Sequence, residues 1–142
     1  MTTVDALQRA LSAEHAALYL YGVLGGRTSA SAEPALSAQL VEAYDWHRAR
    51  RDSLTAVLRS LGETPVAAEV AYAVSGPTDT VAGVRSVAVD IENACAQICA
   101  DLVANTVGDQ RLAAADALLD TGVRLTTLGE APTALPGLSE YA

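Results

Sequence analysis

From Leu36 to Leu61 the apolar residues recur with the period of an α-helix, and His47 and Arg51 sit in the middle of their stripe. Leu36, Leu40, Ala43, Tyr44, Leu54, Leu58 and Leu61 share that face, because positions three and four apart stack on one side of a helix. A stripe this long is one wall of a helical core. One helix earlier, Glu14 interrupts Val4, Leu7, Leu11, Leu18 and Tyr21 in the same way. A carboxylate, an imidazole and a guanidinium therefore point toward one interior, where charges are tolerated only when paired.

The rest of the chain fits around that wall. A first helix spans about Thr3 to Leu24 and stops at Gly25-Gly26, the residue type that ends helices. The second starts near Ser31, with Pro34 in its first turn, and runs to Leu61 before Gly62; proline is tolerated there because its missing N–H would be unpaired anyway. The segment Glu63 to Gly76 carries Pro65 and leads into Pro77, with room for one helical turn from Ala67 to Tyr72. It is too long for a hairpin and suits a crossover. A third helix covers about Thr78 to Asn105, with Val81, Val84, Ala88, Ile91, Cys95, Ile98 and Leu102 inward. A fourth covers about Gln110 to Leu128, with Leu112, Ala115, Leu119 and Gly122 inward. The tail from 129 holds Pro132 and Leu135-Pro-Gly-Leu138, whose leucines are expected to cap an open end of the bundle.

Short, long and short connections between four long helices describe a single all-α domain over 1–142, a four-helix bundle. The long connection makes it a ferritin-like topology, with one crossover between helices two and three. Alanine- and leucine-rich composition agrees with this, since both are strong helix formers.

Composition also excludes partners. The net charge is −8 and lysine is absent, so neither nucleic acid nor an anionic membrane surface is expected to bind. No apolar run is long enough to span a bilayer. No charged n-region with a cleavage site opens the chain, and a cytoplasmic location is expected. Cys95 and Cys99 lie four apart on one helix, a poor geometry for a disulfide and no zinc pattern; they read as small buried hydrophobes.

Glu14 has only apolar helical neighbours in Ala10, Leu11, Ala17 and Leu18, and the short turn that follows places it opposite Tyr44 to His47. It is expected to meet His47 or Arg51, with His15 at the rim. Glu92, among Ala88, Val89, Cys95 and Ala96, is the second candidate for burial. Glu42 and Asp45 belong to the outer surface of their helix, and Asp120 pairs with Arg124 four residues on. The expected buried polar network is Glu14, Tyr44, His47, Arg51 and Glu92.

The run Ala13-Glu-His-Ala-Ala-Leu-Tyr-Leu-Tyr-Gly22, then His47-Arg-Ala-Arg-Arg-Asp52, Tyr72, Glu92 and Leu135-Pro-Gly137 resembles a bacterial ferritin-like family of unassigned function. The resemblance covers nearly the whole chain and implies the ferritin-like fold. Ferritin-like di-iron proteins carry a glutamate on two helices and Glu-x-x-His on the other two. Here Glu14 matches the first glutamate and Glu92 matches that of the third helix. The second helix offers Tyr44-x-x-His47 in place of Glu-x-x-His, and the fourth offers only Ala, Leu and Gly inward. The resemblance therefore does not carry over a di-iron site.

Two functions follow. One is a non-catalytic ferritin-like bundle, a homodimer or a partner-binding module, whose Glu/His/Arg core fixes helix register. In that reading no cofactor is expected, and the surplus apolar girdle of Leu20, Val23 and Leu24 makes the dimer contact. The other is a mononuclear metal-binding oxidoreductase in which Glu14, His47 and Glu92 hold one iron, manganese or zinc ion, donors that suit those metals. A third, an anion pocket of Tyr21, Tyr44 and Arg51, draws on the same core. Nothing resembles a nucleophile–base pair or a phosphate loop, so hydrolase and nucleotide-binding functions gain no support.

Overall fold

A computed structural model describes residues 1–138 and shows four helices, α1 (Thr3–Arg27), α2 (Pro34–Ser60), α3 (Val81–Asn105) and α4 (Gly108–Thr127). The described residues contain no strand. Each start has a local cause. Thr2 accepts the Asp5 N–H while the Asp5 carboxylate takes the Thr2 N–H, a reciprocal cap that satisfies two orphan donors. Pro34 opens α2, and Thr80 accepts the Gly83 N–H at 3.1 Å to open α3. Position 83 requires glycine, because a Cβ there would collide with the Pro77 carbonyl.

Helix α1 packs on α2 and on α3, and α3 packs on α4. The Thr3 hydroxyl donates to the Asn105 carbonyl at 2.8 Å, so the start of α1 meets the end of α3 and the two are antiparallel. Residues 62–80 connect α2 to α3 by running the length of α1. The Gln8 amide bonds the backbone of Thr64 and Val66, the His15 ring lies 3.1 Å from the Val66 carbonyl, and Tyr72 packs on Tyr19 with ring centres 5.6 Å apart. The long connection is therefore a crossover along the bundle, and α3 runs parallel to α2. The segment Ala67 to Tyr72 forms no helical turn; its far end is anchored by Tyr72 on Tyr19.

Several other local expectations are corrected. Helix α1 does not stop at Gly25-Gly26 but reaches Arg27, where the Thr28 N–H and hydroxyl satisfy the carbonyls of Gly25 and Leu24. The Leu24 side chain is fully buried and the partly buried Leu20 packs against the core, which leaves Val23 as the half-exposed member of the girdle. Helix α4 turns a different face inward: Ala114, Ala117, Thr121 and Leu125 are buried, whereas Leu112 and Leu119 stand in solvent. Small side chains let α4 sit close on α3, and this rotation brings Arg124 inside. The described tail does not cap an end of the bundle. It runs back over α3 and α4, with Pro136 near Gly122 and Gly137 so close to the Ala96 carbonyl that no side chain fits. Gly137 also has φ +81°, a conformation glycine adopts without cost.

The core falls into two apolar clusters. One holds Tyr21, Leu24, Leu36, Leu40, Val87 and Ile91; the other holds Leu7, Leu11, Leu54, Leu58, Leu102 and Ala114. Along α1, α2 and α4 the boundary between them falls at Glu14, His47 and Thr121, and all three are buried. A polar layer separates the two halves of the interior.

Candidate functional site: a buried ion network

His47 is the centre of that layer and is wholly inaccessible to solvent. Its position is set by α2: the helical period that aligns Leu40, Ala43, Leu54 and Leu58 aligns the imidazole with them. Nδ1 lies 2.6 Å from Glu14 Oε2 on α1, and Nε2 lies 3.1 Å from Glu92 Oε1 on α3. A neutral imidazole has one N–H, so only the doubly protonated ring donates to both carboxylates. Burial opposes the charge on His47, but the hydrogen bonds and charges of Glu14 and Glu92 outweigh it and hold its pKa above the ordinary value. For Glu92 burial again opposes ionisation, and His47 with Arg124 and Tyr21 prevails, lowering its pKa.

Each carboxylate has a second, guanidinium partner. Arg50 Nε donates to Glu14 Oε1 at 2.9 Å, and its terminal nitrogens reach the Ala113 carbonyl and Cys99 Sγ. Arg124 Nε stands 3.0 Å from Glu92 Oε2, in charge contact but without the alignment of a hydrogen bond. The Arg124 guanidinium is turned instead over the Trp46 ring, 3.7 Å from its centre, a favourable cation–π position. Trp46 meets His47 edge-on and donates from its indole to Asp120 at 3.1 Å. The Tyr21 hydroxyl donates to Glu92 Oε1 at 2.5 Å, and its ring stacks on His47; burial, then the Glu92 charge, pushes its pKa up.

The expected site residues divide accordingly. Glu14, His47 and Glu92 come together. Tyr44 and Arg51 do not: Tyr44 is on the surface, and Arg51 binds Asp52 beside it at 2.7 Å. The anion pocket expected from Tyr21, Tyr44 and Arg51 is therefore not assembled. The α2 arginine that reaches the network is the half-buried Arg50, on the flank that meets Ala113 of α4. Helices α2 and α4 approach less closely than the other neighbouring pairs, leaving room for a long guanidinium. Arg51 lies on the opposite flank of the His47 stripe, where its guanidinium turns to Asp52. The Asp120–Arg124 pair is also replaced, since Asp120 serves Trp46 and Arg124 serves Glu92. Glu42 is exposed and Asp45 pairs with Arg48 on the surface. Arg50, Trp46, Thr121 and Arg124 are the members that sequence reasoning missed. Their one signal is position, three or four residues from each other or beside His47.

The donor set does not fit a metal ion. Glu14 and Glu92 occupy opposite edges of the His47 ring, so the imidazole stands between the carboxylates and no point faces all three. Two guanidinium groups cover the remaining carboxylate oxygens and would repel a cation. Among the described residues no three His, Cys, Asp or Glu side chains are grouped to hold one. Nor is a thiol poised to react: Cys95 and Cys99 are free and buried, and burial pushes Cys99 to about 11 and Cys95 well above its ordinary value.

The shifts fix a pH dependence. His47 is raised above its ordinary 6.5, so its contribution is complete below that pH and is lost as pH rises through the folded value. Glu92 is lowered from 4.5, so its contribution is complete above that pH and is lost as pH falls through the folded value. Urea denaturation across pH should therefore find these two contributions both complete between 4.5 and 6.5. In His15→Gln protein, NMR should follow the single remaining imidazole titrating above 6.5. Titration below that value would contradict the geometry.

A solved structure resembles this arrangement of helices over most of its length. A conserved hypothetical protein, rv2844, from Mycobacterium tuberculosis superposes with a TM-score of 0.82 at 28% identity, covering 89% of this chain and 93% of that one. No match is found among the curated proteins. Residues 6–140 match the family described as "Domain of unknown function (DUF4439)", and the chain belongs to that family.

Proposed function

We propose that the protein is a non-catalytic helical scaffold that works by binding another protein, with the buried ion network holding four helices in one arrangement. The observation that supports this is the state of His47. Both of its ring nitrogens are committed to carboxylates and none of its surface is accessible. Such a histidine is not free to act as base, nucleophile or ligand unless the core opens. The long crossover and the levels of Glu14 and Glu92 agree with the ferritin-like resemblance. In that light the layer is a degenerate metal site, in which arginines and not a cation balance the Glu14 and Glu92 carboxylates. With Leu24 buried and Leu20 packed on the core, little of the girdle beyond Val23 is left for self-association, so the scaffold is read as a monomer. Among the described residues no helix is long and apolar enough to cross a membrane; that and two free thiols are compatible with the cytoplasm.

The alternative, a mononuclear metal-binding oxidoreductase, is decided by composition. Elemental analysis of protein purified without chelator should give iron, manganese and zinc well below one equivalent per chain. A stoichiometric metal that survives dialysis would overturn the scaffold reading.

A further inference from the structure

We propose that the outer face of α4, with the groove beneath the C-terminal strap, is the docking site for a basic amphipathic helix of a partner protein. This rests on the partner-binding reading above and names the partner's chemistry. Leu112, Leu119 and Val123 are 65%, 67% and 63% exposed. By the helical period they form one stripe opposite the buried Ala114, Ala117, Thr121 and Leu125. Isolated exposed apolar residues need no explanation, but a continuous patch marks an interaction surface. The stripe continues into a groove of about 600 Å³ that shares Leu119 and Val123 and adds Leu125, Pro132 and Leu135. A stripe leading into an apolar groove receives a helix whose anchors recur every three or four residues.

Charge selects the occupant. Asp109, Asp116 and Asp120 are exposed along one border of the stripe, and Glu130 lines the groove. Among the described residues none of the four takes part in an ion pair; the one neighbour bonded to Asp120 is the Trp46 indole. An acidic border beside an apolar stripe is complementary to arginine and lysine flanking apolar anchors. A second copy of this chain is a poor occupant. Each copy carries −8, and antiparallel packing of two α4 stripes would set Asp116, midway between Leu112 and Leu119, against its own counterpart.

Two fluorescein-labelled synthetic helices with identical leucine anchors, one flanked by Arg and Lys and the other by Glu, test this by fluorescence anisotropy with the full chain. The basic helix should bind, more weakly as salt rises, and the acidic helix should not. Leu112→Ser/Leu119→Ser should weaken binding by about tenfold or more with an unchanged melting temperature, since both side chains stand in solvent. Asp109→Asn/Asp116→Asn should weaken it and flatten the salt dependence. Failure of the basic helix to bind, equal binding of both helices, or indifference to the leucine substitutions would overturn the proposal. So would a dimer mass by light scattering that Leu119→Arg returns to monomer. These outcomes leave the metal content of the core untouched, so the docking face and the scaffold reading fail separately.

Discussion

Glu92→Leu should lower the stability of the fold by about 3–5 kcal/mol, the loss seen when one partner of a buried charge pair is removed. The substitution strands three groups at once: the His47 Nε2 donor, the Tyr21 hydroxyl and the Arg124 guanidinium. For a chain of this size the melting temperature should fall by roughly 6–20 °C. The cause is the stranded partners and not a deficit of glutamate, which a compensated variant makes visible. Tyr21→Phe, Glu14→Leu, His47→Leu, Arg50→Met, Glu92→Leu and Arg124→Met together remove every unpaired group, and such replacements are often neutral. That variant should recover most of the loss in chemical denaturation. If Glu92→Leu alone proved neutral, the network would not be holding the core together.

The second large effect separates two adjacent arginines. Arg50→Met should cost about 2 kcal/mol, a value for hydrogen bonds to charged groups, because Glu14 keeps only His47. Arg51→Met should change stability by less than about 0.5 kcal/mol, because Arg51 and Asp52 form an exposed neighbouring pair. Paired urea titrations measure the difference directly. A larger loss for Arg51 would restore the arrangement that the stripe alone suggests and contradict the packing described above.

These two arginines also mark how far the sequence is legible. The stripe geometry finds Glu14, His47 and Glu92, because an ionisable residue surrounded by apolar helical neighbours has to be buried or paired. Gly62, Pro65 and Pro77 likewise place the crossover, since a segment so punctuated cannot extend a helix. Periodicity gives the direction of a side chain to within about one residue. It does not say which flank of α2 has room for a guanidinium. That depends on how closely α4 approaches, which is a property of two helices and not of one.

Helix α4 shows the same limit in reverse. Its stripe of Leu112, Ala115, Leu119 and Gly122 is more apolar than the stripe it actually buries. Transfer of leucine from water favours the first choice by about 1.5–3 kcal/mol per side chain. Burying Ala114, Ala117 and Thr121 instead lets α4 approach α3 and delivers Arg124 to Glu92. Without that rotation Glu92 would be a buried carboxylate lacking a guanidinium. The face that α4 buries is the one that brings Arg124 to the charge on the neighbouring helix, and a single helix read alone does not contain that information. The last four residues, 139–142, lie outside the described part of the chain, and so does that part of the expected tail packing.

On the proposed reading the layer around His47 is a closed, metal-free ion network. Melting curves of wild-type protein with and without added iron(II), manganese(II) or zinc(II) test it most directly, because a ligand that binds only the folded state raises the melting temperature by mass action. The network predicts no rise with any of the three metals. A clear metal-dependent rise in wild type that Glu14→Gln abolishes would contradict it.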